Sequence, residues 1–295
     1  MVKYQKNSFI FYIILFGLLF IIYKYKYSNK EAFETYNLPR TIWIFWDQAE
    51  LPNDINAIIK NNKKILSNFK FNVLNNQNLN TYLDTSRFPE NYAALSVQAK
   101  SDFIRLNLLK KYGGVWMDAG IIINSSEEFE RLFNECLNRQ ADLLAFTKTN
   151  NDDNSEYHPY IESWFLIAPQ NSKLINLWLI EFEHAVNIGF DAYNKYIIDD
   201  LNVKICDGIK GFGTYLTMHM CLQTVLQKKL NGWKPILILE SSEETMYKLH
   251  EYCRWNKECI VNKFENDIDD IKQIPYMKFN GDHRQYGIDF DKYFL

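Results

Sequence analysis

Three ionisable side chains within SDFIRLNLLKKYGGVWMDAG, residues 101–120, have types and spacing suited to binding a phosphorylated substrate. Asp102 and Arg105 are three residues apart, so they would share one face of a helix. Asp118 ends a short apolar run that starts after a double glycine. An acid for a divalent cation, an arginine for a phosphate and an acid for hydroxyl groups form a set suited to a sugar nucleotide. Taken alone, an acid and an arginine at this spacing are more typical of a surface salt bridge.

The elements around these residues predict how they could meet. Residues 93–112 have the strongest helical pattern of the chain, because Val97, Ile104 and Leu108 recur at helical spacing and the double glycine ends the run. VWMD then predicts a short strand with Asp118 at its carboxyl end. A helix, a tight turn and a strand in this order would bring all three side chains to one cleft.

The alternation of strand and helix patterns along the chain predicts an α/β fold with a mostly parallel sheet covered on both faces. Ligands of such sheets bind at the carboxyl ends of strands, which is where Asp118 is expected. Further strands are predicted at 38–48, 71–74, 120–123, 143–147, 164–168 and 235–239, and further helices at 54–68, 172–186 and 214–229.

Gly120 stands where a second acid would complete an Asp-x-Asp metal motif. A single carboxylate is chemically sufficient, because Mg²⁺ and Mn²⁺ commonly bind through one or two carboxylates together with substrate phosphates. Replacing Gly120 by aspartate is expected to tighten metal binding, unless the glycine has a positive φ that aspartate tolerates poorly.

Composition excludes some classes of function. The 295 residues are 47% hydrophobic, enough for one sizeable core, and the formal net charge is −3. A nucleic-acid partner would require a clustered basic face, which the sequence lacks beyond its N-terminus. A metal-dependent hydrolase is disfavoured because no clustered His and Asp ligands occur. Among five cysteines, Cys253 and Cys259 could pair in an oxidising compartment, and free thiols are the equally plausible alternative.

The N-terminal segment 9–23, FIFYIILFGLLFIIY, is uncharged. As a helix it would span roughly 22 Å, less than the roughly 30 Å of a bilayer core, but flanking tyrosines and lysines could extend it into the interface. It lacks the cleavage site of a signal peptide and the amphipathic pattern of a core helix. We expect a single-pass membrane anchor that contacts the bilayer through residues 8–27, with an orientation that the flanking lysines do not define. Residues 1–30 would form the anchor and stem, and residues 31–295 the catalytic domain.

The segment SDFIRLNLLKKYGGVWMD closely resembles the SDxxR…L…yGGxyxD core of the sugar transferases that contain a DXD motif, glycosyltransferase family 32. It is similar to the glucosylating clostridial toxins, and most similar to the capsular polysaccharide synthesis protein family, in which a single Asp-Ala pair commonly replaces Asp-x-Asp. LPRTIWIFW, ESWFLIAPQN and GTYLTMHM extend the resemblance. It implies a GT-A fold, a mixed, mostly parallel sheet flanked by helices. It also implies a retaining, metal-dependent hexosyltransferase that uses a nucleotide sugar, a UDP-hexose above all, and a glycan or glycoconjugate acceptor.

The resemblance assigns the main catalytic roles to the residues described first. Ser101 and Asp102 match the pair that binds hydroxyl groups of the donor sugar and ribose. Arg105 matches the arginine that binds the donor and offsets charge on the departing diphosphate. Asp118 matches the acid that contacts the Mn²⁺ or Mg²⁺ cofactor. For Ser101, a helix cap is the alternative interpretation.

Four further residues complete the expected site. Trp46 matches the aromatic residue that stacks on uracil, and Trp116 matches the one beside the ribose, although burial in strands would explain both tryptophans equally well. Ser163, which follows Glu162 and precedes a predicted strand, is expected on the acceptor side. His283 in the polar segment NGDHR is a candidate late metal ligand, with a solvated surface residue as the alternative.

The rival to a transferase is a catalytically silent relative, a membrane-tethered protein that binds a nucleotide or glycan after losing its second acid. The joint presence of Asp102, Arg105 and Asp118 argues against this alternative.

Overall fold

The central sheet of the protein contains strands from most of its length. In the computed structural model, which describes residues 36–148 and 159–294, six strands form this sheet. They are β1 (Thr41–Phe45), β2 (Lys70–Leu74), β3 (Gly114–Met117), β5 (Leu143–Thr147), β6 (Ile161–Ala168) and β7 (Leu237–Ser241). The short strands β4 (Ile121–Ile123) and β8 (Tyr276–Lys278) pair separately and antiparallel.

The strand order is β2-β1-β3-β6-β5-β7, and β6 runs antiparallel to both of its neighbours. The remaining pairs, β1 with β2, β1 with β3 and β5 with β7, are parallel. The prediction of a mostly parallel α/β sheet is therefore confirmed. A mixed sheet of this kind, flanked by helices, fits the GT-A fold that the resemblance implies.

Helices cover the sheet because its strands are apolar on both faces. Trp43 of β1 and Trp116 of β3 belong to a large core cluster with residues of the helices Val97–Tyr112 and Lys173–Ile188. Phe165 of β6 packs against Phe129 of the helix Ser126–Asn138, with the two ring centroids 5.8 Å apart. The helices are α1 (Asn53–Ile65), α2 (Val97–Tyr112), α3 (Ser126–Asn138), α4 (Lys173–Ile188), α5 (Phe190–Asp199), α6 (Asp207–Lys210), α7 (Thr217–Thr224), α8 (Lys248–Tyr252), α9 (Lys257–Asn266), α10 (Ile268–Lys272), α11 (Gly281–Arg284) and α12 (Phe290–Tyr293).

The helix α2 begins later than its pattern predicts. Residues Glu90–Ala94 form a 3₁₀ turn, and α2 starts at Val97 because the Ser96 hydroxyl accepts a hydrogen bond from the Ala99 N–H at 3.2 Å. The helix ends at Gly113, where φ is +65°. A Cβ atom at Gly113 would lie 2.3 Å from the Gln170 backbone nitrogen, so both the backbone angle and the available space require glycine at this turn.

Two predictions about the ends of the chain have different outcomes. The predicted anchor, residues 8–27, lies outside the described residues and stays a prediction; within the described part of the chain, no helix is long and apolar enough to cross a membrane. Residues 38–295 form one compact structural unit.

Cys253 and Cys259 are joined in a disulfide near the C-terminus of this unit. The disulfide is one of the two alternatives that the sequence leaves open.

Candidate active site

A cleft of about 590 Å³ opens beside the carboxyl ends of the central strands β1 and β3. The antiparallel strand β6 begins on the same side of the sheet, so residues from all three strands converge on the cleft. Six of the eight predicted site residues line the cleft: Trp46, Ser101, Asp102, Arg105, Asp118 and Ser163. Trp116 and His283 are not part of its lining.

Arg105 connects the carboxylates of the cleft. Its side chain points from α2 into the protein, and the residue is only 5% exposed. Its Nη1 group donates to the Asp102 carboxylate at 2.9 Å and to the Ser163 hydroxyl, and its Nη2 group donates to the Asp118 carboxylate at 3.2 Å. The Asp102–Arg105 pair is therefore an internal ion pair, and the surface salt bridge suggested by its spacing is the wrong interpretation.

Asp118 is held by backbone and side-chain hydrogen bonds at the carboxyl end of β3. Its N–H donates to the Trp164 carbonyl at 2.9 Å, and its Oδ1 atom accepts from the Trp116 indole at 3.0 Å. Its Oδ2 atom accepts from the Lys278 ammonium at 3.2 Å. Burial favours the neutral acid, but Lys278, Arg105 and these hydrogen bonds outweigh it and hold the pKa of Asp118 below its usual value. Asp118 is therefore an ionised carboxylate near neutral pH.

Two other acids of the cleft, Asp102 and Glu162, have pKa values nearer to neutrality. Burial raises the pKa of Asp102 to about 6, although the adjacent Arg105 opposes the rise. Burial also raises the pKa of Glu162 to about 7, even though the carboxylate accepts a hydrogen bond from the Trp164 indole at 2.9 Å. Carboxyl groups whose pKa values are driven apart by their surroundings are typical of sites that handle protons.

The two predicted aromatic residues have different surroundings. Trp46 follows β1, lines the cleft and is half-buried, and the Arg284 guanidinium lies 5.0 Å from its ring centroid. Its indole N–H is buried and has no hydrogen-bond partner among the described residues. Trp116 is only 1% exposed, so it contributes to the site by binding Asp118, with its ring 5.0 Å below the Arg105 guanidinium. The predicted contact of Trp116 with a ribose stays a prediction.

His283 lies beside the cleft within an aromatic cluster. Its ring centroid is 4.3 Å from that of His250 and 5.5 Å from that of Trp255. Burial, assisted by Lys278, lowers the pKa of His283, so its imidazole is neutral near pH 7. Among the residues that the structure describes, no group of three or more His, Cys, Asp or Glu side chains is arranged to hold a metal ion. The role of His283 as a metal ligand stays a prediction, without a contact that supports it.

Gly120 cannot be replaced by the missing acid without moving the backbone. A Cβ atom at Gly120 would lie 2.0 Å from the Phe279 carbonyl oxygen, and the Phe279 N–H donates to the Gly120 carbonyl at 2.8 Å. The glycine does not have a positive φ, so the obstacle is space and not the backbone angle. The expectation that aspartate at position 120 tightens metal binding therefore meets a steric obstacle and stays a prediction.

These residues do not fit a divalent-cation site. Both carboxylate oxygens of Asp118 already bind donors, one from Arg105, which Asp118 shares with Asp102, and one from Lys278. Unit charges about 4 Å apart interact by about 4 kcal/mol at an effective dielectric constant of about 20, and a divalent ion doubles that repulsion from each cation. A second carboxylate that could offset it has no space at position 120.

Sequence reasoning missed several residues of the cleft, among them the two cationic residues Lys278 and Arg284. The signal for Lys278 is a lysine inside the short apolar run YMKF, since lysine is rarely buried without a partner. Its partner Asp118 is 160 residues away, so no local pattern identifies the pair.

A family model described as capsular polysaccharide synthesis protein matches residues 7–185, more than half of the chain. This chain belongs to the capsular polysaccharide synthesis protein family. Membership confirms the resemblance found in the segment that carries Asp102, Arg105 and Asp118, and it agrees with the prediction of an enzyme. No curated protein matches the chain.

Solved structures similar to the chain include three glycosyltransferases. The glycosyltransferase domain of the YGT toxin is 10% identical with a TM-score of 0.43, over 85% of this chain and 88% of that one. The glycosyltransferase GlyE of Streptococcus pneumoniae TIGR4 is 12% identical with a TM-score of 0.41. The match covers 88% of this chain and 62% of GlyE. The galactosyltransferase LgtC, solved with donor and acceptor sugar analogues, is 11% identical with a TM-score of 0.38, over 86% and 95% of the two chains.

The contact of Gly120 with Phe279 predicts a loss of stability in Gly120→Ala. The added methyl group must displace the Phe279 carbonyl, and overpacking of this kind costs about 1–3 kcal/mol. Gly211→Ala is the matched control, because Gly211 also has an ordinary φ of −60° but its Cβ would come no closer than 3.4 Å to the Asp207 carbonyl. Thermal unfolding of both variants checks this prediction, and equal midpoints would contradict it.

Proposed function

We propose that this protein is a glycosyltransferase that moves a hexose from a nucleotide-sugar donor, a UDP-hexose by preference, to a glycan or glycoconjugate acceptor with retention at the anomeric carbon. Membership of the capsular polysaccharide synthesis protein family supports this proposal. The observation that carries it is the convergence of Asp102, Asp118 and Ser163 on the Arg105 guanidinium at the wall of one cleft. These groups are suited to the hydroxyls and the diphosphate of a sugar nucleotide.

In this reaction the bond between the anomeric carbon and the diphosphate oxygen breaks, and its electron pair stays on the diphosphate. The acceptor hydroxyl oxygen forms the new bond to the anomeric carbon, and its proton passes to the departing diphosphate oxygen. Retention in this form requires no nucleophile from the protein. The contribution of the protein is to position the two substrates and to stabilise the negative charge that develops on the diphosphate.

The cleft offers separate positions for the parts of such a donor. We assign the base to Trp46, whose ring lines the cleft beside Arg284, and the sugar and ribose hydroxyls to Ser101 and Asp102. The helix cap of α2 is Ser96, so the Ser101 hydroxyl does not serve as the cap. Ser163 and Glu162, at the start of β6, line the part of the cleft that we assign to the acceptor.

We further propose that residues 1–30 anchor the enzyme to a membrane, with residues 31–295 as the catalytic domain. The uncharged segment 9–23 supports this proposal. An anchored enzyme would act on a glycan or glycoconjugate that is itself at the membrane.

Slow donor hydrolysis tests the proposed activity directly. The full-length protein in detergent would be incubated with a panel of UDP-, GDP- and ADP-sugars, in EDTA and with Mn²⁺, and the release of free sugar would be measured. We expect hydrolysis of at least one donor, and its loss in a folded Asp118→Asn variant, which removes the charge and keeps the shape. Nucleotide binding without hydrolysis would instead support the catalytically silent alternative. Absence of both binding and hydrolysis would refute the proposed function.

Arg105→Lys is expected to keep the positive charge but lose the planar fork that serves Asp102, Asp118 and Ser163 at once. We expect turnover to fall by about a hundredfold, with a smaller change in nucleotide affinity, because the groups that stabilise the transition state are no longer aligned. Steady-state kinetics and nucleotide titration check this prediction.

Arg131→Lys is the matched control. Arg131 also has three side-chain partners, the carboxylates of Glu128, Glu135 and Glu240, but it is exposed and does not line the cleft. Turnover near the wild-type rate in both variants would reduce Arg105 to a stabilising ion pair.

A further inference from the structure

Lys278 is fixed beside Asp118 by the backbone on both sides of it. In the antiparallel pair of β4 and β8, Lys278 lies opposite Ile121, three residues beyond Asp118. Its N–H donates to the Met246 carbonyl at 3.0 Å, and the next residue, Phe279, donates to Gly120 at 2.8 Å. The lysine therefore enters the cleft from a strand whose position is defined by main-chain hydrogen bonds.

The Lys278 ammonium is buried and lines the cleft, with fewer protein acceptors than it has donors. Its side chain is only 8% exposed and lines the cleft. An ammonium has three N–H donors, and among the described residues Asp118 is the only hydrogen-bond acceptor of this one. A buried charged group is costly unless water or a ligand completes its hydrogen bonds. An anion in the cleft would satisfy this requirement.

Arg284 supplies a second cation from the same C-terminal segment. Its guanidinium lies over the Trp46 ring at 5.0 Å and pairs with Asp54 at 3.5 Å, and it lines the cleft six residues after Lys278. A diphosphate between these cations would place its nucleoside towards Trp46 and its sugar towards Asp102. The steric closure at Gly120 explains why no second carboxylate competes for Lys278.

We propose that the Lys278 ammonium, held on Asp118, binds the donor diphosphate in the place of a divalent cation, so that the protein recognises a nucleoside diphosphate without metal. This inference rests on the proposed transferase function and departs from the metal dependence that the family resemblance implies. Asp118 then serves as the counter-ion that orients Lys278. When the bond to the sugar breaks and the electron pair stays on the diphosphate, Lys278 stabilises the added negative charge.

Binding of diphosphates to metal-free protein tests this proposal without a need for turnover. The full chain in detergent would be freed of metal with EDTA and titrated with UDP, GDP, ADP and inorganic pyrophosphate by calorimetry. We expect at least one nucleotide to bind, with a Kd that changes by less than about threefold when Mn²⁺ replaces EDTA. Lys278→Met keeps the length and apolar stem, and we expect it to weaken binding in EDTA by about tenfold or more, the usual effect of losing a hydrogen bond to a charged group.

Two further variants separate the charge from the fold. Lys64→Met removes an exposed lysine from the last turn of α1, away from the cleft, and should bind like the wild type. Lys278→Asp places a second acid beside Asp118, so nucleotide binding should be lost in EDTA and return with Mn²⁺. This variant supplies the second carboxylate for which position 120 has no space. Recovery of nucleotide binding with Mn²⁺ would show that the variant has folded.

The outcomes distinguish this inference from the proposed function. If nucleotide binding to the wild type disappears in EDTA and returns with Mn²⁺, the proposal that Lys278 takes the place of the metal is overturned. The transferase proposal would still stand. Unchanged binding in a folded Lys278→Met variant would have the same two consequences. Failure of every diphosphate to bind the wild type, with or without Mn²⁺, would overturn both.

Discussion

The buried guanidinium of Arg105 is the group that connects the elements of the cleft. It extends from α2 and binds Asp118 at the end of β3 and Ser163 near the start of β6. Desolvation of such a charge is offset only by good hydrogen-bond geometry, and removal of one partner of a buried ion pair costs about 3–5 kcal/mol because it leaves the other unpaired. The relative positions of the helix and the two strands therefore depend on this residue, and together with Lys278 it keeps Asp118 ionised.

Two glycines make this arrangement sterically possible. Gly113 lets α2 end within contact of the Gln170 backbone, so that β3 can start at once and deliver Asp118 to the edge of the sheet. Gly120 lets the chain after Asp118 approach the Phe279 carbonyl, which brings β8 and Lys278 to the other side of the same carboxylate. The cations on both sides of Asp118 therefore follow from close backbone contacts that only glycine allows.

The local part of this site could be predicted from the sequence, and the long-range part could not. Helical periodicity and the double glycine correctly predicted that α2 and β3 are consecutive and that Asp102, Arg105 and Asp118 meet. The same spacing gave no information on burial, which is why a surface salt bridge was the more typical interpretation of Asp102 and Arg105. The pairing of β4 with β8 depends on packing across more than 150 residues of sequence, so the partner of Asp118 was not visible.

A lysine in the place of a metal changes what the remaining residues must do. An ammonium carries one charge where a divalent cation carries two, so the neutralisation of a diphosphate must be shared with other cations, here Arg105 and Arg284. A lysine is also attached to the chain, so its position is set by β8 and does not depend on the supply of a metal ion. Asp118 is still necessary, because a buried ammonium is stable only beside an acid that pairs with it. The absence of a second acid at position 120 is then a consequence of how Lys278 is held, and one carboxylate is the number that one ammonium requires.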